Sequence, residues 1–323
     1  MNEILLSSQV IVYLLSESTL FLLLFIAFII SLKILLKWDF EAFTPLQFHL
    51  EKQSYLVSTI ILFVFAMKFL LLLYFIFGID NLSLLVPGAM CAAGVITAND
   101  YGTPLLVLKL VILFFLTLWF CIHKEDSLTK NHRWFKEKSW LFSFVFLLLA
   151  GELFLDYSYF FHISTHQPVS CCSALFGQLE GANPLPFGLN IPLLLILFYL
   201  LYALVILSLK TKQTLLYIIA NLLFAYIAYY SVVYFFGTYI YQLPTHKCPF
   251  CMLQSSYNYV GYPLWGSLFF GTYKGISDAI SLLWLKTKHT HSPKSVIGLL
   301  SFFVLLCTAY VALYYLKNGV LLS

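Results

Sequence analysis

The residues best suited to chemistry in this chain are thiols. Seven cysteines occur, Cys91, Cys121, Cys171, Cys172, Cys248, Cys251 and Cys307. The sharpest spacing is His246-Lys247-Cys248-Pro249-Phe250-Cys251, a C-x-x-C between two long apolar segments. Two thiols so placed form either a redox-active dithiol or half of a metal site. Pro249 suits the first turn of a helix, where its missing N–H costs nothing. That predicts Cys248 at a helix N-terminus, whose orphan N–H groups and dipole favour a thiolate. Thiol exchange needs an accessible thiolate, a resolving thiol and an electron acceptor. Cys248 is the expected nucleophile and Cys251 the expected resolving thiol. The following segment carries Tyr257, Tyr259, Tyr262, Trp265 and Phe269, rings suited to a quinone but also common at membrane interfaces. Gln254, Tyr257 and Asn258 are the expected quinone-binding residues.

A second group of ligands lies upstream. Cys171 and Cys172 are adjacent, in the stretch His162-Ile-Ser-Thr-His166-Gln-Pro-Val-Ser-Cys171-Cys172. Neighbouring cysteines close only a strained ring, so each pairs elsewhere or both bind a soft metal. With Met90, Cys91, His166, His246, Cys248 and Cys251 they make a donor set for Cu(I), Hg(II) or Zn(II), the alternative to redox exchange. A third reading has the cysteines as disulfide staples in a non-catalytic subunit of a membrane assembly. Cys121 and Cys307 read as packing residues. Met252 follows Cys251, so there is no c-type haem attachment motif. No phosphate-binding loop, serine-triad motif or H-E-x-x-H occurs.

The elements that must position these residues are membrane helices. Of 323 residues 61% are hydrophobic and 10% charged, and the mean hydropathy is +0.91. Continuous Leu/Phe/Ile runs long enough to cross a bilayer, about 20 residues each, predict an all-α polytopic transmembrane bundle rather than a barrel. Eight spans are expected: 8–36, 54–78, 104–122, 140–162, 191–209, 214–240, 252–273 and 295–316. Residues 275–285, with Asp278 and serines opposite Leu and Trp, read as a short interfacial helix. The expected divisions are 1–139 as a three-span region, 140–273 as a four-helix core bearing the cysteines, and 274–323 as interfacial helix and last span. The N-terminus lacks the basic stretch of a signal peptide, so the first span is expected to be retained.

Connecting segments rich in Lys and Arg (33–51, 124–138, 210–212 and 286–294) alternate with segments poor in them (79–103, 163–190 and 241–251). By the positive-inside rule the first kind faces the cytoplasm, and both termini face outward. The net charge of +4 therefore reports topology, and the expected partner is the lipid bilayer, not nucleic acid. Five of the seven cysteines fall on the outward side, in a bacterium the oxidising periplasm of an inner-membrane protein. Residues 87–102 are full of small side chains, which permits a tight or re-entrant loop. Glu17, Lys68, Lys109, Glu152 and Asp156 fall inside expected spans, with Lys68 level with Glu152 and Lys109 level with Asp156. Charges there pair or serve transport. These either lock helices together or form a proton path.

Residues 140–273 resemble the vitamin K epoxide reductase family of membrane thiol oxidoreductases. The likeness lies in the order of parts: a span, a cysteine loop Ser170-Cys171-Cys172-Ser173-Ala174-Leu175-Phe176-Gly177, a turn Pro186-Phe187-Gly188-Leu189-Asn190-Ile191-Pro192 opening the next span, a third span, and a fourth entered through Cys248-Pro249-Phe250-Cys251. The resemblance implies that Cys248 and Cys251 exchange electrons with a quinone. It also implies that Cys171 or Cys172, with Cys91 as a second relay thiol, passes them to or from a periplasmic thioredoxin-like partner. The family's loop cysteines are several residues apart, whereas these two are adjacent.

Overall fold

The computed structural model describes residues 3–38, 44–128, 134–165, 167–169, 185, 188–211, 213–285 and 293–322. The chain is an all-α polytopic membrane protein. Its helices are α1 (Ser8–Lys37), α2 (Pro45–Leu82), α3 (Ala92–Ile96), α4 (Gly102–Leu128), α5 (Phe135–Phe161), α6 (Ile191–Thr211), α7 (Thr214–Ser231), α8 (Gly237–Tyr241), α9 (Gly261–Leu285) and α10 (Pro293–Asn318). A π-helical stretch, Val232–Phe236, joins α7 to α8, so residues 214–241 run as one rod. Among the described residues, seven helical rods are long and apolar enough to cross a bilayer. Their outer faces carry unpartnered apolar side chains, such as Leu15 at 65% exposure and Phe154 at 69%, which only lipid covers favourably.

Helix starts follow local chemistry. The Ser7 hydroxyl accepts from the Val10 N–H, and the Thr44 hydroxyl from that of Gln47 with Pro45 in the first turn, as N-caps do. The expected spans match observed helices within a few residues, with two differences. Helix α2, at 38 residues, is about 57 Å long and outruns the hydrocarbon layer. The expected span 252–273 and interfacial helix 275–285 are instead one continuous helix, α9. It begins only at Gly261, because residues 251–260 are used in two 3₁₀ turns and in left-handed Asn258 and Tyr259. No break follows Tyr273, and α9 falls short of the apolar composition of the other spans, carrying Lys274, Asp278 and several small polar residues.

The chain forms two compact units, residues 1–87 with 95–169, and 88–94 with 170–323. Each is a ring of four long helices. In the first, α1 packs on α2 and α5, and α4 on α2 and α5. In the second, α7 packs on α6 and α9, and α10 on α6 and α9. Helix α5, grouped by sequence with the cysteine-bearing spans, thus packs with the first three long helices, and α10 completes the second ring.

The first unit is tied by buried charge. Lys68 Nζ on α2 lies 2.7 Å from Glu17 Oε2 on α1 and 2.6 Å from Glu152 Oε2 on α5. Lys109 Nζ on α4 lies 2.8 Å from Glu152 Oε1 and 3.0 Å from Asp156 Oδ2. All five residues expected inside spans meet here, one helix pinned to the next. The second unit is tied by aromatic packing: Phe198 of α6 contacts Phe224, Phe236 and Phe303 at ring-centroid distances of 5.6, 5.0 and 6.0 Å.

Candidate functional site

In the second unit, the segment that enters α9 brings three sulfurs together. Cys91 Sγ lies 3.8 Å from Cys248 Sγ, and the sulfurs of Cys91, Cys248 and Cys251 are all within 4.8 Å of one another. All three side chains are buried, with exposures of 0%, 2% and 6%. The expected accessible thiolate is therefore a buried one, facing another cysteine of its own chain.

Cys248 does not sit at a helix N-terminus as its neighbour Pro249 predicts. It lies in an irregular segment before the 3₁₀ turn Cys251–Leu253, thirteen residues short of the α9 start at Gly261. The cap is replaced by direct bonds. The Cys251 and Cys91 thiols donate to Cys248, and the backbone N–H groups of Phe250 and Cys251 add to them. Together these outweigh burial and push the Cys248 thiol down to about 4. The neighbouring Cys248 sulfur first, then that of Cys91, and burial push the Cys251 thiol far up, so it keeps its proton. The pair is polarised into one thiolate and one thiol, as a nucleophile and its resolving partner require.

Two aromatic side chains hold the loop. The Tyr241 hydroxyl donates to the Cys248 carbonyl and accepts from the Met252 N–H at 3.1 Å. Trp265 Nε1 on α9 donates to the Pro249 carbonyl at 3.1 Å. The π turn above aims Tyr241. A Cβ on Gly237 would lie 2.7 Å from the Val232 carbonyl oxygen, so this wide turn needs glycine there. A Cβ on Gly261 would lie 2.7 Å from Met252 Cγ, so glycine also lets the loop fold down on α9. Trp265 stands among the aromatics noted in the sequence. Tyr241 does not, because its role arises from a π turn that has no simple periodic signature.

The remaining expected site residues divide. Cys171, Cys172 and His166 lie outside the described residues. His246 is buried with its ring 4.1 Å from that of Tyr241. Burial lowers its pKa, and its ligand atoms do not join the sulfur trio. Gln254 Nε2 donates to the Met90 carbonyl at 3.4 Å, tying the Cys91 segment to the Cys248 loop. Asn258 is exposed in a left-handed turn. Half-buried Tyr257 packs edge-on against Tyr241 at 4.8 Å. Its hydroxyl is raised first by burial and then by the Cys251 and Cys248 sulfurs. Of the three expected quinone-binding residues, Tyr257 is the one beside the thiols. Comparison with protein-family models, with curated proteins and with solved structures returns no match for this chain.

Proposed function

We propose that this protein is a membrane thiol–disulfide oxidoreductase whose buried Cys248–Cys251 dithiol exchanges with Cys91 and passes electrons to a membrane quinone. The 3.8 Å approach of the Cys91 and Cys248 sulfurs carries this reading, because exchange requires a thiolate in line with a sulfur it can attack. When Cys248 and Cys251 are joined, attack by Cys91 on Cys248 forms a Cys91–Cys248 bond, breaks the Cys248–Cys251 bond and leaves Cys251 as the departing thiolate. A further thiol, Cys171 or Cys172, then attacks Cys91 and frees Cys248. Two electrons have moved to the dithiol, and its return to the disulfide releases two electrons and two protons. A quinone would supply a two-electron, two-proton acceptor in the membrane, and Tyr257, beside the thiols, would offer a hydroxyl to its carbonyl. Burial of the trio favours a relay through the chain's own cysteines over direct attack by a soluble partner. A periplasmic thioredoxin-like protein would meet the relay at Cys171 or Cys172. The alternation of basic and neutral connecting segments supports a bacterial inner-membrane setting with both termini outward.

Substitution Cys251→Ala tests the reading. Cys248 can then attack but cannot be released, so a Cys248 disulfide with Cys91, Cys171, Cys172 or an outside partner accumulates on non-reducing gels and is located by peptide mass. Cys248→Ala abolishes that adduct.

A second reading is favoured by the trio itself. A metal bonded to sulfur at about 2.3 Å holds two thiolates about 3.8–4.0 Å apart, which the Cys91–Cys248 separation fits. On this reading either substitution removes a ligand, metal content falls equally in both variants, and no adduct forms. Metal analysis of the same samples decides, and a stoichiometric soft metal with no trapped adduct overturns the oxidoreductase.

A further inference from the structure

The charged cluster of the first unit has an imbalance in both charge and hydrogen. Glu17, Glu152 and Asp156 bring three negative charges when ionised, and Lys68 and Lys109 bring two positive. All five are at most 6% exposed, deep in helices that cross the membrane. A single surplus charge in such a place is expensive. The cations opposing these carboxylates are the protein's own ammonium groups, Lys68 and Lys109.

Counting hydrogens locates the imbalance. Lys109 uses three N–H groups, on Tyr13 Oη, Glu152 Oε1 and Asp156 Oδ2. Lys68 uses two, on Glu17 Oε2 and Glu152 Oε2. Glu152 thus has each oxygen bonded to an ammonium group and is held as a carboxylate. The Tyr13 oxygen lies 3.0 Å from Asp156 Oδ1 and 3.2 Å from Glu17 Oε1, yet a tyrosine has one O–H to give. It can serve one carboxylate. The other then faces the phenol oxygen at hydrogen-bond distance with no hydrogen between them. A proton on that second carboxyl supplies the missing hydrogen and cancels the surplus charge together.

We infer that this cluster is a proton-binding site, holding one exchangeable proton that Glu17 of α1 and Asp156 of α5 share through the Tyr13 hydroxyl. With the proton on Glu17, Glu17 donates to Tyr13 Oη and Tyr13 donates to Asp156. In the transfer, the Glu17 proton moves to Tyr13 as the Tyr13 proton moves to Asp156. Two O–H bonds break and two form, and one proton has crossed from α1 to α5. Beside Glu17 lies a cavity of about 10 Å³ lined also by Lys68, Lys109 and Glu152, room for about one water. Lys68 lines it with one N–H unused among the described residues. Among the described residues beside the cluster, Phe75 of α2 covers Lys109 at 4.9 Å, and the Tyr159 hydroxyl of α5 is spent on the Val95 carbonyl at 2.9 Å.

Infrared spectroscopy of the full chain in lipid nanodiscs tests this. At neutral pH the wild type shows one protonated carboxylic acid C=O band that shifts in D2O. Asp156→Asn and Glu17→Gln, neutral isosteres that each remove one negative charge, lose the band while keeping the helical amide signal. Tyr13→Phe keeps the band at a shifted frequency. Lys68→Met, by enlarging the surplus, gains a second band. Absence of any exchangeable acid band in the wild type at neutral pH, which needs no variant to read, overturns the inference. So does a band that survives unchanged in both Asp156→Asn and Glu17→Gln.

Discussion

At the scale of single residues, Cys248 differs from an ordinary thiol through what donates to it. Because its folded pKa is pushed down to about 4, its thiolate hydrogen bonds stabilise the fold fully above the ordinary thiol value of about 8.5. That contribution shrinks as pH falls and is gone below about 4. Ultraviolet absorbance of the Cys248 thiolate is accordingly expected to hold steady from alkaline pH down to the acid range. In Cys91→Ala or Cys251→Ala it titrates at higher pH, since each removes a donor. A wild-type absorbance that titrates near the ordinary thiol value would contradict this. Tyr241→Phe leaves the buried Met252 N–H and Cys248 carbonyl without that partner and is expected to cost about 1–3 kcal/mol. Thermal unfolding in detergent measures the loss, and the loosened loop raises the Cys248 pKa alongside it.

At the scale of elements, the π turn and the charged bundle each fix how helices sit. Gly237→Ala puts a methyl against the Val232 carbonyl, and overpacking of this kind costs about 1–3 kcal/mol. The displaced turn carries Tyr241 away from the thiol loop, so reduced thermal stability and an altered Cys248 titration are expected together. In the first unit, Lys68→Met strands Glu17 and half of Glu152, and breaking a buried pair costs about 3–5 kcal/mol. Adding Glu17→Gln removes one stranded charge, so the double variant is expected to unfold at a higher temperature than Lys68→Met alone. Strictly additive losses would show that Lys68 and Glu17 do not act as a pair.

For the whole molecule, the alternation of basic and lysine-poor segments fixes an expected orientation and number of crossings. Ser255 is exposed beside the thiol loop, and Ser127 is exposed near the end of α4. Cysteine introduced at 255 is expected to react with a membrane-impermeant reagent in intact cells. Cysteine at 127 reacts only after permeabilisation, because its neighbourhood is the basic one. The reverse pattern would place the thiol site on the reducing side and remove the setting the proposed oxidoreductase needs. Reporter tags at the two ends decide whether α9 crosses: if it does, both tags lie on the same side.

The sequence by itself determined that this is an all-α membrane protein and nearly every long helix, because hydrocarbon admits only apolar runs with internally satisfied backbones. It also determined that Lys68 would meet Glu152 and Lys109 Asp156, since a charge in lipid must find its opposite at its own depth. It determined Cys248 and Cys251 as a pair, because their spacing along the chain is itself the signal. Only the tertiary structure decided that Cys91 approaches Cys248, across 157 residues, and that Tyr241 clamps their loop. The same holds for the partners of α5 and α10, and for the single Tyr13 hydroxyl set between Glu17 and Asp156. Apolar helices in lipid have no amphipathic stripe to name their neighbours. Which helix meets which, and which hydroxyl falls between two carboxylates, follows from small-residue approach and side-chain shape, settled when the helices pack.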